Sequence, residues 1–98
     1  MSYKLVSITK ASDGIHKLNA KFINKDTGRE KNTKFGAVGY TDFTKGATEE
    51  QKKAYITRHT KNENWSNATS AGALSRYILW NKKSVSASTA DYKKKFSV

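Results

Sequence analysis

The stretch His16-Lys17-Leu18-Asn19-Ala20-Lys21-Phe22-Ile23 decides the fold, because polar and apolar residues alternate one by one from Lys17 to Phe22. Leu18, Ala20 and Phe22 fall on one face, and the polar residues between them fall on the other. A period of two residues is typical of a strand that buries one face and exposes the other. The alternation predicts a half-buried β-strand with the Phe22 side chain in the core. A ring in that position is not one that stacks on a nucleic-acid base.

Similar runs flank this strand on both sides. Tyr3–Thr9 is rich in strand-forming residues, and Glu30–Ala37 places Phe35 on an apolar face. The segments between the runs, Lys10–Gly14 and Asn24–Gly28, are typical of tight turns. We therefore predict an antiparallel β-meander of two to three strands in the first 37 residues.

Three helices are predicted in the second half. Thr48-Glu49-Glu50-Gln51 forms a capping box, so one helix begins there and extends to about His59. Thr69–Trp80 is apolar nearly all round, which predicts a buried central helix from which Arg76 emerges. Ser84 is the predicted N-cap of a last helix, which is amphipathic and cationic.

These elements predict an α+β fold in a single domain, residues 1–98, with the β-meander at 1–37 and the helical part at 47–98. Typical domains have about 100–150 residues, so a chain of 98 makes one domain. The connection at 36–46 contains three glycines and two aromatic residues, Tyr40 and Phe43. We expect both rings to dock on another part of the molecule, and Trp65 to anchor the polar loop before the central helix.

Composition indicates a thin core and an anionic partner. Leu, Ile, Val and Phe total 17 residues, whereas 11 aromatic residues supply apolar area. Nineteen basic and eight acidic residues give a net charge of +11, and the halves before and after Gly46 both carry a surplus. The surplus therefore belongs to the whole fold, and it predicts a polyanionic partner. Taken one at a time, most lysines are ordinary solvated surface.

Sixteen of the basic residues are Lys and three are Arg. Lysine is a flexible point charge that binds phosphates without one required geometry, so the balance does not favour sequence-specific readout. The candidate nucleic-acid or polyanion-binding residues are cations on predicted strand faces and helices: Lys17, Lys21, Lys34, Lys52, Lys53, Arg58, Arg76, Lys82, Lys83, Lys93, Lys94 and Lys95.

Nothing in the sequence predicts an enzyme, a cofactor or a metal site. The chain contains no Cys, which excludes a thiolate metal site or a Cys nucleophile. His59 and Glu63 could meet one helical turn apart, but a catalytic or metal site needs further groups, so we expect this pair to fasten a helix end. The glycines lack phosphate-loop and dinucleotide spacings. No secretion signal or membrane-spanning run is present.

An ordered series of motifs runs through the chain from the third strand onward. The motifs are Phe35-Gly36-Ala37, Gly39-Tyr40-Thr41-Asp42-Phe43-Thr44, Tyr55-Ile56-Thr57-Arg58-His59, Glu63-Asn64-Trp65, Ala71-Gly72, Leu74-Ser75-Arg76-Tyr77-Ile78-Leu79-Trp80-Asn81-Lys82 and Tyr92-Lys93-Lys94-Lys95-Phe96. This series, which covers roughly residues 33–96, resembles a family of small, basic, uncharacterised proteins of large double-stranded DNA viruses of algae and protists. Lys83 stands where the family commonly has Pro, which blurs the start of the last helix.

The resemblance implies a viral context and carries no established activity. It sharpens the first hypothesis, a non-enzymatic protein that binds nucleic-acid phosphates non-specifically in genome condensation or packaging. The alternative is a minor structural protein that cements the capsid or core of the virion through acidic virion proteins. A small metal-assisted nuclease built on His59 and Glu63 is a third, weaker hypothesis. The expected location is the virion or the viral replication compartment of the host cell; the oligomeric state is left open.

Overall fold

The computed structural model of the protein describes residues 3–61 and 65–98. Strands β1 (Tyr3–Lys10), β2 (His16–Asn24) and β3 (Glu30–Ala37) form an antiparallel sheet in the order β1-β2-β3. Helices follow the sheet, so the predicted α+β class and β-meander are confirmed. Glu63, which the sequence pairs with His59, lies outside the described residues.

The register of the sheet places one face in the core. Leu5 pairs with Phe22 across β1 and β2, and Leu18 pairs with Phe35 across β2 and β3. Phe22 and Phe35 are buried in one cluster with side chains from the helices, which confirms their predicted core role. The helices therefore cover this face, and the lysines that alternate with it, such as Lys21, lie on the opposite face.

The connection from β3 to the first helix docks through only one of its two aromatic residues. Phe43 begins a 3₁₀ turn, Phe43–Lys45, and is buried. Tyr40 remains 75% exposed, so its predicted docking is wrong. Gly39 has a φ of 91°, and the Tyr40 backbone N–H donates to the Ala37 carbonyl at 3.3 Å. This turn directs the Tyr40 side chain away from the core.

Helix α1 (Glu49–Thr60) begins at the predicted capping box. The Thr48 hydroxyl accepts from the Gln51 backbone N–H at 3.1 Å, and the Gln51 side chain accepts from the Thr48 backbone N–H at 2.8 Å. Two backbone donors at the helix start are thereby satisfied. Tyr55 is the buried residue of this helix and fixes it to the core.

The central helix is confirmed but begins later than predicted and changes its pitch. Ser70 caps helix α2 (Ala71–Leu74), which continues as a π-helical turn at Ser75–Leu79. The start is delayed because the Asn67 side chain accepts from the Thr69 backbone N–H at 3.1 Å in a local turn. Most apolar residues of this segment are buried: Ala73, Leu74, Ile78, Leu79 and Trp80.

Helix α3 (Val85–Phe96) begins after Ser84, whose side chain accepts from the Ala87 backbone N–H at 3.0 Å, as predicted. Tyr92 is fully buried and donates its hydroxyl hydrogen to the Ala68 carbonyl. Burial raises the pKa of the Tyr92 hydroxyl above its usual range. None of the helices formed by the described residues is long and apolar enough to cross a membrane.

Candidate nucleic-acid interface

Few of the basic side chains are neutralised within the fold. Among the described residues, three lysines form ion pairs with carboxylates: Lys17 with Asp42, Lys21 with Glu30, and Lys34 with Asp13. All 19 basic residues lie in the described ranges, so 16 of them have no ion pair with a described carboxylate. Most of the cationic surplus is therefore available to an external anion.

Lys17 is committed to the fold itself. Its ammonium contacts the Asp42 carboxylate and donates to the Tyr40 carbonyl, and the Lys17 side chain is only 14% exposed. Asp42 is buried and also caps the 3₁₀ turn by accepting from the Thr44 backbone N–H at 2.8 Å. Removing either charge would leave the other buried and unpaired, so this pair holds the connection against the sheet.

Lys21 and Lys34 lie on the open face of the sheet and make exposed pairs. The Lys21 ammonium is 2.9 Å from Glu30, and the Lys34 ammonium is 3.8 Å from Asp13. Backbone and side-chain hydrogen bonds from His16 hold the pKa of the Asp13 carboxyl well below its usual range. Because the helices cover the other face, these two lysines do not share a surface with the lysines of α3.

Two lysines, Lys52 and Lys83, place their ammonium groups at the Phe43 ring. We call these two, together with Lys45 and Lys82 nearby in the chain, the lysine cluster. The ammonium groups of Lys52 and Lys83 lie 4.7 and 5.7 Å from the centroid of the Phe43 ring. Lys45 ends the 3₁₀ turn that Phe43 begins, and Lys82 is adjacent to Lys83 in sequence. None of the four forms an ion pair with a carboxylate of the described residues.

Hydrogen bonds fix the backbone that carries the cluster. The Lys52 ammonium donates to the Asn81 carbonyl at 2.8 Å and so ties α1 to the segment before α3. The Asn81 side chain donates to Asp91 at 2.8 Å, and the Lys82 backbone N–H donates to the Ser88 hydroxyl at 3.0 Å. The cluster is thus displayed from an ordered scaffold, while the side chains of Lys45, Lys82 and Lys83 remain exposed.

The remaining predicted cations lie on the helices. Lys53 and Arg58 are exposed on α1, and Lys93, Lys94 and Lys95 are exposed in the last turn of α3. Cations at a helix C-terminus also stabilise the helix dipole, so the α3 lysines have a structural role beside any binding role. The two ends of α3 are about 18 Å apart for its 12 residues, which separates these lysines from the cluster.

The prediction that Arg76 emerges from the central helix into solvent is wrong. Its guanidinium lies 5.6 Å from the Trp65 ring centroid and 4.9 Å from the Tyr77 ring centroid, and one nitrogen donates to the Trp80 carbonyl at 3.0 Å. The side chain is half-buried because the aromatic rings cover it. Arg76 therefore joins the Trp65 loop to the central helix, and Trp65 anchors this loop as the sequence predicts.

A groove of about 750 Å³ adjoins the lysine cluster. One wall is a stack of rings: Tyr55 lies 4.2 Å from His59 and 4.6 Å from Trp80, measured between centroids. Its remaining walls come from the end of the sheet, the connection, α1 and the central helix, and they include Gly36, Tyr40, Asp42, Arg58, Gly72 and Ser75. A volume of this size fits a small organic group.

His59 belongs to this stack of rings through its contact with Tyr55. Within residues 3–61 and 65–98, no three His, Cys, Asp or Glu side chains come together in a group that could hold a metal ion.

A family model described as "Family of unknown function (DUF5754)" matches residues 6–59, more than half of the chain. The chain belongs to this family. No curated protein and no solved structure matches it.

The DUF5754 match covers most of the sheet, the connection and nearly all of α1. It includes Phe43, Lys45 and Lys52 of the site, whereas Lys82 and Lys83 follow it in the chain. The family's description assigns no activity, so the viral resemblance stays a prediction.

Sequence reasoning named Lys52, Lys82 and Lys83 but missed Lys45 and the ring that gathers them. The Asp-Phe-Thr-Lys run at 42–45 carries a recognisable signal, because Asp is a preferred cap and places Phe43 and Lys45 on one short turn. The groove had no comparable signal, since its walls come from segments distant in sequence.

Proposed function

We propose that the protein binds nucleic-acid phosphates non-specifically and without catalysis. One observation carries the proposal: the ammonium groups of Lys52 and Lys83 meet at the Phe43 ring, with Lys45 and Lys82 close to them in the chain. None of the four lysines is paired with a carboxylate among the described residues. Like charges held close together repel one another, and an external chain of phosphates would relieve that repulsion.

The chemistry of the cluster supports backbone binding rather than base readout. Lysine ammonium groups contact single phosphate oxygens from many directions, whereas reading a base edge favours the planar fork of arginine. Of the three arginines, Arg76 is committed to aromatic contacts inside the fold. A role in genome condensation or packaging is the form of this function that the viral resemblance favours.

The proposal is tested by measuring fluorescence anisotropy of labelled random-sequence duplex DNA over a range of salt concentrations. Each phosphate contact contributes about 0.9 to the slope of log K against log salt. The variant Lys45→Ser, Lys82→Ser and Lys83→Ser should therefore flatten the slope by about 2–3 and weaken binding at low salt.

The control variant loses the same number of positive charges at positions outside the lysine cluster. Lys4→Ser, Lys10→Ser and Arg29→Ser removes three exposed cations of the sheet and its turns, none of which forms an ion pair with a described carboxylate. This control should change the slope of log K against log salt by less than about 0.9, the contribution of one phosphate contact. Equal losses in both variants would remove the cluster as the site, and absence of binding at low salt would refute the function.

A further inference from the structure

We infer that the groove beside the lysine cluster receives an unpaired nucleobase, so that the protein prefers single-stranded nucleic acid to duplex. This inference rests on the proposed function, because the cluster would hold the phosphates that flank the base. It adds a second kind of contact, stacking, to the charge contacts already described.

The size and lining of the groove suit a flat aromatic group. Its volume of about 750 Å³ is within the range of small-molecule sites, and its walls are mostly apolar. Gly72 lines it without a side chain, so its backbone can be approached by a ring. Trp80 and Tyr55 supply aromatic surface on the α1 side.

Tyr40 provides an exposed ring at this groove. It is 75% exposed, and its side chain is the largest exposed hydrophobic surface in the connection. Its backbone is nevertheless held, because its carbonyl accepts from the Lys17 ammonium. A solvent-exposed ring on an anchored backbone is suited to stack on a base, since every base has a π face.

The charge of the groove favours an anionic occupant. Among the described residues that line the groove, Asp42 is the one carboxylate, and it is already neutralised by Lys17. Arg58 lines the groove, is exposed, and forms no ion pair with a described carboxylate. The groove therefore suits a ligand that has both a flat apolar group and a negative charge. A nucleotide is such a ligand, because it joins a flat base to a phosphate.

The groove and the lysine cluster are built from the same segments of chain. Asp42 lines the groove and Phe43, the next residue, centres the cluster. On the other side, Trp80 lines the groove and Asn81 accepts the hydrogen bond from Lys52. A strand bound to the cluster would therefore lie next to the segments that form the groove. In a duplex the bases are paired and stacked on one another, so only an unpaired base can enter.

The experiment compares a labelled 20-nucleotide oligo-dT with a random-sequence duplex in the same anisotropy assay. Tyr40→Ala should weaken oligo-dT binding by roughly 5- to 150-fold, the loss expected for one base stacked on an aromatic side chain. Duplex binding should stay within about twofold of wild type. Ile15→Ala, which removes another exposed apolar side chain outside the groove, is the control and should change neither.

A second readout reports from inside the groove. Trp65→Phe leaves Trp80 as the single tryptophan, so oligo-dT should quench its fluorescence if a base enters. Equal loss of oligo-dT and duplex binding in Tyr40→Ala, or oligo-dT binding without quenching of Trp80, would overturn the inference and leave the proposed function standing. Binding of neither nucleic acid by the wild-type protein would instead refute the proposed function.

Discussion

Replacing Trp80 with Ala should remove one of the main contacts between α1 and the end of the central helix. Trp80 is 8% exposed and stacks on Tyr55 with 4.6 Å between ring centroids and 8° between ring planes. Both belong to the cluster that includes Phe22 and Phe35. Truncating a buried Trp to Ala costs about 3–5 kcal/mol, through lost transfer free energy and the cavity that remains.

That loss is large for this fold. Domains of ordinary stability unfold with about 5–15 kcal/mol, and this chain has few aliphatic residues to compensate. A domain of about 60–100 residues loses roughly 4–8 °C of melting temperature for each kcal/mol. Trp80→Ala should therefore lower the melting temperature by at least about 12 °C, or abolish the cooperative transition.

Circular dichroism during urea and thermal unfolding measures both quantities. Tyr40→Ala is the control, because it removes another aromatic ring that is 75% exposed, and it should change the free energy of unfolding by less than about 0.5 kcal/mol. If Trp80→Ala unfolds within about 1 kcal/mol of wild type, the stacked rings do not hold the core as argued here.

Three further predictions concern a close approach, a helix cap and a carboxylate. An alanine at Gly36 would place its Cβ 2.7 Å from a side-chain carbon of Leu79, whereas Gly28 has a similar φ and open space. Gly36→Ala should therefore cost about 1–3 kcal/mol more than Gly28→Ala in urea unfolding, and equal losses would contradict the close packing. Thr48→Ala should cost about 1 kcal/mol by thermal unfolding, because it removes the capping box; an unchanged melting temperature would show that the cap is redundant. The lowered pKa of Asp13 contributes stability that is present above its ordinary value of 3.8 and is lost as pH falls through the lower folded value. Asp13→Asn should reduce stability at neutral pH and flatten its decline in acid, as followed by unfolding at a series of pH values; parallel curves for the two proteins would contradict this.

The strands and the helix starts could be predicted from the sequence because each depends on local chemistry. Alternation around Phe22 requires only a period of two, and the caps at Thr48 and Ser84 require only a side chain near its own backbone. Tyr40 and Arg76 could not be placed by the same reasoning. The exposure of Tyr40 depends on a turn at Gly39, and the burial of Arg76 depends on rings brought to it by tertiary packing.

The candidate site was predictable in its chemistry and not in its location. Composition alone indicates that cations outnumber carboxylates, but which of them meet depends on how α1 and the segment before α3 pack around Phe43. The strand lysines and the α3 lysines, named together from the sequence, are separated by the layer of helices on the sheet. Lys45 was missed because it belongs to no long element.

The distribution of the carboxylates strengthens the argument for an external anion. Asp42 pairs with Lys17 and caps the 3₁₀ turn, and Asp13 accepts a backbone hydrogen bond in the turn between β1 and β2. Glu49 lies in the first turn of α1, beside the positive end of the helix dipole. Each described acid in this set supports local structure, and none is paired with the lysine cluster. Stability alone would favour a carboxylate within ion-pair distance of the two ammonium groups at the Phe43 ring, because like charges destabilise the compact state. A cluster left unpaired by a fold that places its acids so specifically is what a phosphate-binding surface requires.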